Sequence, residues 1–335
     1  MTVSPAIVDP AALRDDATFR AEVMRAATPV VMPGAVAKWP LLARPGAHDV
    51  IATLRGFDVG REAGLFVGTA ETGGRYYYDA TLSGFNFTQQ AMACGDALQR
   101  ILDRAGNADG ETLYMGSLPS ERYFPGAEAL TPLPFVPATV CPRFWIGHAS
   151  SVACHYDIMD NVACVTAGRR RFTLYPPQAI GDLYVGPVDH TMAGQPVALA
   201  VDSAPGDPRF PKFEAIRDQA LVAELGPGDA IYIPKLWWHK VEALDDINVL
   251  ANFWWDGFAS GPDQPYAAML LAMIAIAERP AAERDAWRAW FDHYVFRPDG
   301  HPLGFLPEER RGILASLGGG NYQRIRTMVM RMLRG

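Results

Sequence analysis

The chain has 335 residues, 49% of them hydrophobic and 20% charged. That balance excludes an intrinsically disordered chain and leaves room for one large domain or two ordinary ones. A net charge of −7 and a pI ≈ 5.5 argue against nonspecific binding to nucleic acid or to anionic membranes.

The N-terminal stretch has no basic region leading into an apolar core, so no secretory signal is expected. The most apolar run, from Tyr266 to Ala277, is too short to span a bilayer and reads as a buried helix. Cys94, Cys141, Cys154 and Cys164 show no CxxC spacing and read as reduced packing residues. Together these features predict a soluble cytoplasmic protein.

The periodicity first predicts a helix around Phe19–Ala27, then a short strand from Pro29 to Met32 closed by Pro33 and Gly34. Between Gly64 and Phe87, β-prone runs such as Arg75–Tyr78 alternate with Gly-rich turns. A helix is expected over Gln89–Ala105 and a strand over Thr112–Met115. From Thr139 to Phe258 short strands dominate: Arg143–Ile146, Val152–Tyr156, Val162–Thr166, Arg171–Tyr175, Ala230–Ile233 and Asn248–Trp254. So many short strands between Gly and Pro turns indicate a sandwich or barrel. Beyond Pro262 the pattern turns helical, over Tyr266–Glu278, Ala281–Val295, Glu308–Leu317 and Tyr322–Leu333, with Asn321 as the cap of the last helix. The predicted organisation is an N-terminal helix-and-strand elaboration over 1–138, a β-barrel catalytic core over 139–260, and a helical region over 261–335.

The chemistry concentrates at His155-Tyr156-Asp157. Residues two apart on a strand share a face, so the imidazole and carboxylate converge while Tyr156 turns away. His239 follows the strand Ala230–Ile233 and supplies a third ligand. Two histidines and one carboxylate occupy one face of an octahedral Fe(II) and leave positions open for a chelating cosubstrate and O2. Each residue alone also fits a blander role: a solvated loop histidine, a capping aspartate, a packed core histidine. The β-prone surroundings of both pieces favour the metal. His148 and His190, beside Gly and in a Pro- and Gly-rich stretch, read as solvated loop residues, and the parity of Cys154 turns it away from the site.

A second clue is GRRRFTLYPP (Gly168–Pro177). On a strand, Arg170, Phe172 and Leu174 share one face, which places the Arg170 guanidinium inside the barrel, where it needs an anionic partner. Its planar fork suits a carboxylate in bidentate fashion. A strand-end arginine reaching solvent along its own stem is the alternative.

These blocks, HYD followed by Asn161, GRRRFTLYPP, GPGDAIYIPKLWWH (Gly226–His239) and NFWW (Asn252–Trp255), closely resemble the cupin-like jumonji (JmjC) oxygenases, the family that includes the asparaginyl hydroxylase of hypoxia-inducible factor. Weaker likeness extends upstream through Pro29–Pro40 and Leu113-Tyr114-Met115. The resemblance implies a double-stranded β-helix (jelly-roll) core and 2-oxoglutarate-dependent hydroxylation of a C–H bond. It implies Fe(II) on His155, Asp157 and His239, and cosubstrate contacts from Tyr114, Asn161, Asn252 and Arg170. Arg170 stands where the family usually carries Lys. Val152 stands where it often carries a Thr that donates to the same carboxylate. Trp254 is expected either at the substrate mouth or in the core, and the segment Val188–Lys212 is expected to cap that mouth. The family also implies a homodimer through the C-terminal helices. The alternatives are a cupin using Mn or Zn as a hydrolase or isomerase, and a non-catalytic metal-binding cupin module. The expected partners are O2 and a protein or small-molecule substrate, with neither nucleic acid nor a membrane.

Overall fold

The structure, a computed structural model, describes residues 3–44, 46–106, 110–189, 191, 194–259 and 261–334. The elements run β1 (Ala6–Ile7), α1 (Asp16–Glu22), β2 (Val30–Met32), α2 (Ala47–Arg55), β3 (Glu62–Gly68), β4 (Arg75–Tyr76), β5 (Phe87–Ala93), α3 (Cys94–Asp103), β6 (Thr112–Pro119) and α4 (Ser120–Tyr123). Then come β7 (Arg143–Gly147), β8 (Ser150–His155), β9 (Asp160–Ala167), β10 (Arg170–Tyr175), α5 (Pro211–Glu214), β11 (Leu221–Leu225), β12 (Ala230–Ile233), β13 (Trp238–Ala243) and β14 (Asn248–Trp255). The chain divides into two compact units, residues 1–257 and 258–335, and all these strands belong to the first.

One sheet has the order β1-β2-β12-β9-β14-β7-β6-β3-β5 and the other β11-β10-β13-β8-β4. Their central parts, β12-β9-β14-β7 and β11-β10-β13-β8, form a mainly β, jelly-roll sandwich of the kind the sequence predicts. Alternate residues of the two sheets meet between them: Ala163, Val165, Phe172, Leu174, Ile231 and Leu250 form one buried apolar cluster. The outer face of the larger sheet is covered by helices. Val50, Ile51 and Leu54 of α2, and Ala97, Leu98 and Ile101 of α3, bury one stripe each against it. The turn from β9 to β10 requires glycine. Gly168 has φ +68, and a Cβ there would lie 2.3 Å from the Asn248 side chain and 2.8 Å from the Ile247 carbonyl oxygen.

Several boundaries differ from the sequence expectation. The run Gln89–Ala93 is strand, pairing in register with β3, and the helix begins only at Cys94. α1 starts earlier than expected because the Asp15 carboxylate caps it, accepting the Thr18 N–H at 2.8 Å.

The second unit contains α6 (Pro265–Ile276), α7 (Ala281–Phe291) extended by a π turn over Asp292–Phe296, and α8 (Asn321–Arg334). The expected helix over Glu308–Leu317 is two short 3-10 turns, Glu308–Arg310 and Gly312–Leu314, split where Gly312 takes φ +58. The Asn321 side chain does not cap α8. Its amide donates back to the carbonyls of Ala315 and Ser316 at 3.1 Å. α8 is tied to the start of the unit through Asp263, which pairs with Tyr322 and with Arg326 at 3.0 Å. Among the described residues no helix is long and apolar enough to cross a membrane.

Phe19 of α1 is fully buried, with its ring 5.1 Å from Phe135 and 5.3 Å from Tyr232. Phe19→Ala should therefore cost about 3–5 kcal/mol, read as a lower urea midpoint at unchanged slope. A loss under about 1 kcal/mol would show that α1 is not part of the core.

Candidate metal centre and its cavity

His155 ends β8 and His239 lies directly opposite it on β13 in the antiparallel register. Directly opposed residues on neighbouring strands share a face, and the two imidazole centroids stand 4.4 Å apart. Each Nδ1 meets a main-chain carbonyl two residues back: Ala153 at 2.8 Å from His155 and Trp237 at 2.9 Å from His239. A carbonyl only accepts, so each Nδ1 carries the proton and each Nε2 keeps its lone pair for a metal. A β-bulge follows His239, where the register shifts before Val241.

Asp157 lies just past the end of β8, and its main-chain carbonyl accepts the Leu236 N–H at 2.8 Å. Leu236 itself sits at φ +69, so the loop carrying the approach to His239 is held in a strained turn against the loop carrying Asp157. Buried Asp160 locks the same region. It accepts from the Tyr232 hydroxyl at 2.8 Å and the Gly257 N–H at 3.2 Å, and Lys235 lies 3.3 Å away. The result brings one ligand atom from each of His155, Asp157 and His239 within 4.8 Å of the others, with both histidines buried. Burial, and secondarily the neighbouring His155, holds the His239 imidazole down at about 4, so it is neutral at physiological pH.

The remaining predicted residues line the same cavity: Tyr114 from β6, Asn161 from β9, Arg170 from β10 and Asn252 from β14. Arg170 is 3% exposed. Burial lowers its pKa to about 10, so it remains a cation. It donates to the Trp145 carbonyl at 3.3 Å, its Nε has no partner, and among the described residues no carboxylate pairs with it. Its neighbours behave as strand parity predicts, for Arg169 and Arg171 are exposed and pair with Asp245 at 2.8 Å and Glu224 at 3.2 Å. Asp157 Oδ2, Asn161 Oδ1 and Asn252 Oδ1 are also buried without hydrogen-bond partners. A cavity with so many unmet polar atoms is built for a polar occupant. Burial raises the Tyr114 hydroxyl well above its ordinary range, leaving it a neutral donor.

Residues 16–261 match the family described as the cupin-like domain. The chain belongs to that family. Its JmjC-type relatives include a lysine-specific demethylase, JMJ31, of Arabidopsis thaliana, 34% identical over 114 residues that cover 34% of this chain and 20% of the relative. Lysine-specific demethylase 8 of Xenopus tropicalis is 25% identical over 249 residues, 71% of this chain and 50% of that protein. The bifunctional peptidase and (3S)-lysyl hydroxylase JMJD7 of Homo sapiens is 28% identical over 133 residues, 34% of this chain and 41% of that protein. The chain thus spans half or less of the length of these relatives.

Within this member of the cupin-like family, two expectations need revision. His148 is no solvated loop residue: it is buried, its Nδ1 accepts the Leu113 N–H at 3.3 Å, and its Nε2 donates to the Ile101 carbonyl at 2.8 Å. His190 lies outside the described residues. The described part of Val188–Lys212 lines neither the metal cavity nor its neighbour. Val197 and Ala198 instead extend along the outer edge of β8, where the Ala198 N–H donates to the Cys154 carbonyl at 2.7 Å and Val197 bridges to His155. Asp202 fastens this strap to Arg75 at 3.3 Å and Lys240 at 2.7 Å. Cys154 packs away from the site beside Tyr156 and Trp238, as its parity predicts.

Sequence reasoning missed the second cavity of about 250 Å³ that adjoins the first, sharing Tyr114, Trp145, Val152 and Trp254 with it. Its other walls come from β3, β4 and β5, and the density of aromatics between Phe66 and Phe87 was the available signal.

Because the native fold keeps His239 neutral at about 4 against 6.5 for a free imidazole, the unfolded chain binds more protons between those values. Stability of EDTA-treated protein should be full above pH 6.5 and fall by roughly 3 kcal/mol as the pH drops through 4. Urea titrations across this window should show a shallower decline for His239→Gln. Identical pH profiles would remove His239 as the cause.

Proposed function

We propose that this protein is an Fe(II)- and 2-oxoglutarate-dependent oxygenase that hydroxylates a C–H bond of a protein side chain or small molecule, consuming O2 and releasing succinate and CO2. The observation that carries this reading is one cavity holding both a His–Asp–His donor set with its two histidines buried and a buried guanidinium that no carboxylate among the described residues pairs with. A divalent metal chelated by a dicarboxylic acid satisfies both ends, and the unmet atoms of Asp157, Arg170, Asn161 and Asn252 fit such an occupant. Relatives named as demethylases and a lysyl hydroxylase support oxidative chemistry.

When bound, Fe(II) and 2-oxoglutarate supply the oxygen activation, with one oxygen atom going to the substrate and the other into succinate. In this reading the chain holds and orients. His155, Asp157 and His239 would hold the iron, which would supply the chemistry of O2 activation there. Arg170 takes the far carboxylate of 2-oxoglutarate as a charge-assisted pair. The neutral Tyr114 hydroxyl and the amides of Asn161 and Asn252 orient its oxygens. Phe172, Ile233 and Leu250 line the cavity and exclude water. A Mn or Zn hydrolase would use the same three ligands, but 2-oxoglutarate accounts for both ends of the cavity with one molecule, so the oxygenase is preferred. Reduced cysteines support a cytoplasmic setting, since Cys94, Cys141, Cys154 and Cys164 are all free.

Anaerobic reconstitution with Fe(II), followed by succinate detection on admitting O2 with candidate proteomes or metabolite pools, tests the reading. Alanine at His155, Asp157 or His239 should abolish substrate-dependent succinate in folded protein. Arg170→Ala should raise the KM for 2-oxoglutarate by two to three orders of magnitude, since removing one partner of a buried charge pair costs about 3–5 kcal/mol. Arg170→Lys should keep part of the affinity. Full turnover by Asp157→Ala, or unchanged 2-oxoglutarate affinity in Arg170→Ala, would defeat the assignments.

We further propose that the C-terminal helices form a homodimer. α6 leaves Met269, Leu270, Leu271, Met273 and Ile274 exposed, Ile274 at 83%, and α8 leaves Val329, Met332 and Leu333 exposed. Apolar surface on this scale is stable in water only when covered, and a two-fold axis covers it with a second copy. Light scattering should give twice the 36.6 kDa of one chain. Ile274→Glu should return the monomer mass, and a monomeric wild type at micromolar concentration would exclude the dimer.

A further inference from the structure

The cavity beside the metal cavity is an aromatic chamber. Phe66, Tyr76 and Phe87 form one side, with ring centroids 5.4 Å (Phe66–Phe87) and 5.3 Å (Tyr76–Phe87) apart, while Trp145 and Trp254 form the partition toward the metal ligands. Close packing would ordinarily fill such a space. It stays open at Gly116, where a Cβ would stand 3.1 Å from the Trp145 ring and 3.2 Å from that of Tyr114. The backbone does not demand glycine there, since Gly116 is not among the residues with positive φ. The missing side chain preserves the space.

The next residue is strained. Ser117 has φ +54 in an irregular stretch of β6 where the register shifts between Met115 and Leu118. Its hydroxyl oxygen accepts from Arg143 Nη1 at 2.9 Å. Arg143 lies opposite Asn252 on β14 and two residues before Trp145, so it emerges on the cavity face of the sheet. Its guanidinium carbon is 5.7 Å from the centre of the Trp254 ring. Among the described residues no carboxylate pairs with Arg143, and no residue lining the chamber is charged.

We infer that the substrate has an uncharged aromatic or bulky apolar body that fills this chamber and a carboxylate that reaches Arg143; the inference rests on the oxygenase reading of the metal cavity. Aromatic walls alone also suit a cation held against ring faces. Here, however, the Trp254 ring already has a guanidinium beside it, and an incoming ammonium would meet that uncompensated charge. Among the described residues the Asp157 carboxylate is the one acid lining the metal cavity, and in the oxygenase reading it belongs to the metal. A carboxylate gains a charge-assisted bond from Arg143, with the Ser117 hydroxyl as a second donor. This separates the chain from what the names of its lysine-directed relatives suggest. The acid is either a free arylalkanoate or an acidic residue next to an aromatic one in a peptide.

The test is calorimetric titration of the full chain, anaerobically with Fe(II) and 2-oxoglutarate present, using 3-phenylpropionate, 3-phenylpropanamide and 3-phenylpropylamine. Acetyl-Phe-Asp-amide and acetyl-Phe-Lys-amide form the peptide arm. The acid of each arm should bind about tenfold or more tighter than its neutral or amine counterpart. Arg143→Gln should erase that preference and Arg143→Lys should restore part of it. Gly116→Val should weaken every probe by filling the chamber. The tighter of the two acids identifies the source. Equal binding of acid and amine, a preference that survives Arg143→Gln, or no binding of any probe at millimolar concentration overturns the inference. Binding is the readout, so tight Arg143-dependent capture of the acid by protein that forms no succinate once O2 is admitted would uphold the binding site and defeat the oxygenase reading alone.

Discussion

The candidate site depends on one cross-strand pair, His155 opposite His239, at the seam where β8 and β13 meet. Burial, with His155 beside it, disfavours protonation of His239, and the Nδ1 bonds of both rings to main-chain carbonyls two residues back leave both Nε2 atoms free. Everything nearby serves that arrangement. The bulge after His239 ends the regular ladder, the Leu236 turn holds the Asp157 loop, and Asp160 clamps the ends of β9, β12 and β14.

At the other end of the cavity stands the opposite arrangement, a charge that no carboxylate among the described residues pairs with. Arg170 lines the cavity beside Phe172, donates to the Trp145 carbonyl, and burial lowers its pKa without discharging it. Evolution rarely leaves a buried cation unmatched, because its desolvation is repaid only by an anion in good geometry. The strands hold the two ends at fixed places in one cavity, so a ligand joining a metal on the histidines to the guanidinium would be selected by length as well as by charge.

Much of this was legible in the sequence because strands announce themselves by parity. Ala230–Ile233 is bounded by Gly228 and Pro234 and was readable to the residue, and the inside-outside assignment of Arg169, Arg170 and Arg171 needed only alternation. What failed was whatever depended on a distant partner. Gln89–Ala93 reads as the start of a helix, yet β3 claims it as a strand, a tertiary preference that no local pattern records. His148 follows a glycine and looks like a loop residue until Ile101 and Leu113 close around it. The aromatic chamber is assembled from β3 to β8 and β14, so neither its shape nor the vacancy at Gly116 is visible along one strand.

The strap formed by Val197 and Ala198 has a consequence for the integrity of the molecule. β4 covers the outer edge of β8 only as far as Val152, and beyond it the backbone amides and carbonyls around Cys154 and His155 would face solvent as an open edge. Such an edge recruits strands from other chains. By lending an internal segment to that position, the connection between β10 and β11 keeps the ligand-bearing strand from templating aggregation. Loop closure entropy grows only slowly with length, so a long connection is an inexpensive guard. A connection that looks dispensable beside the chemistry is, on this view, what lets the strand carrying His155 exist in a crowded solution.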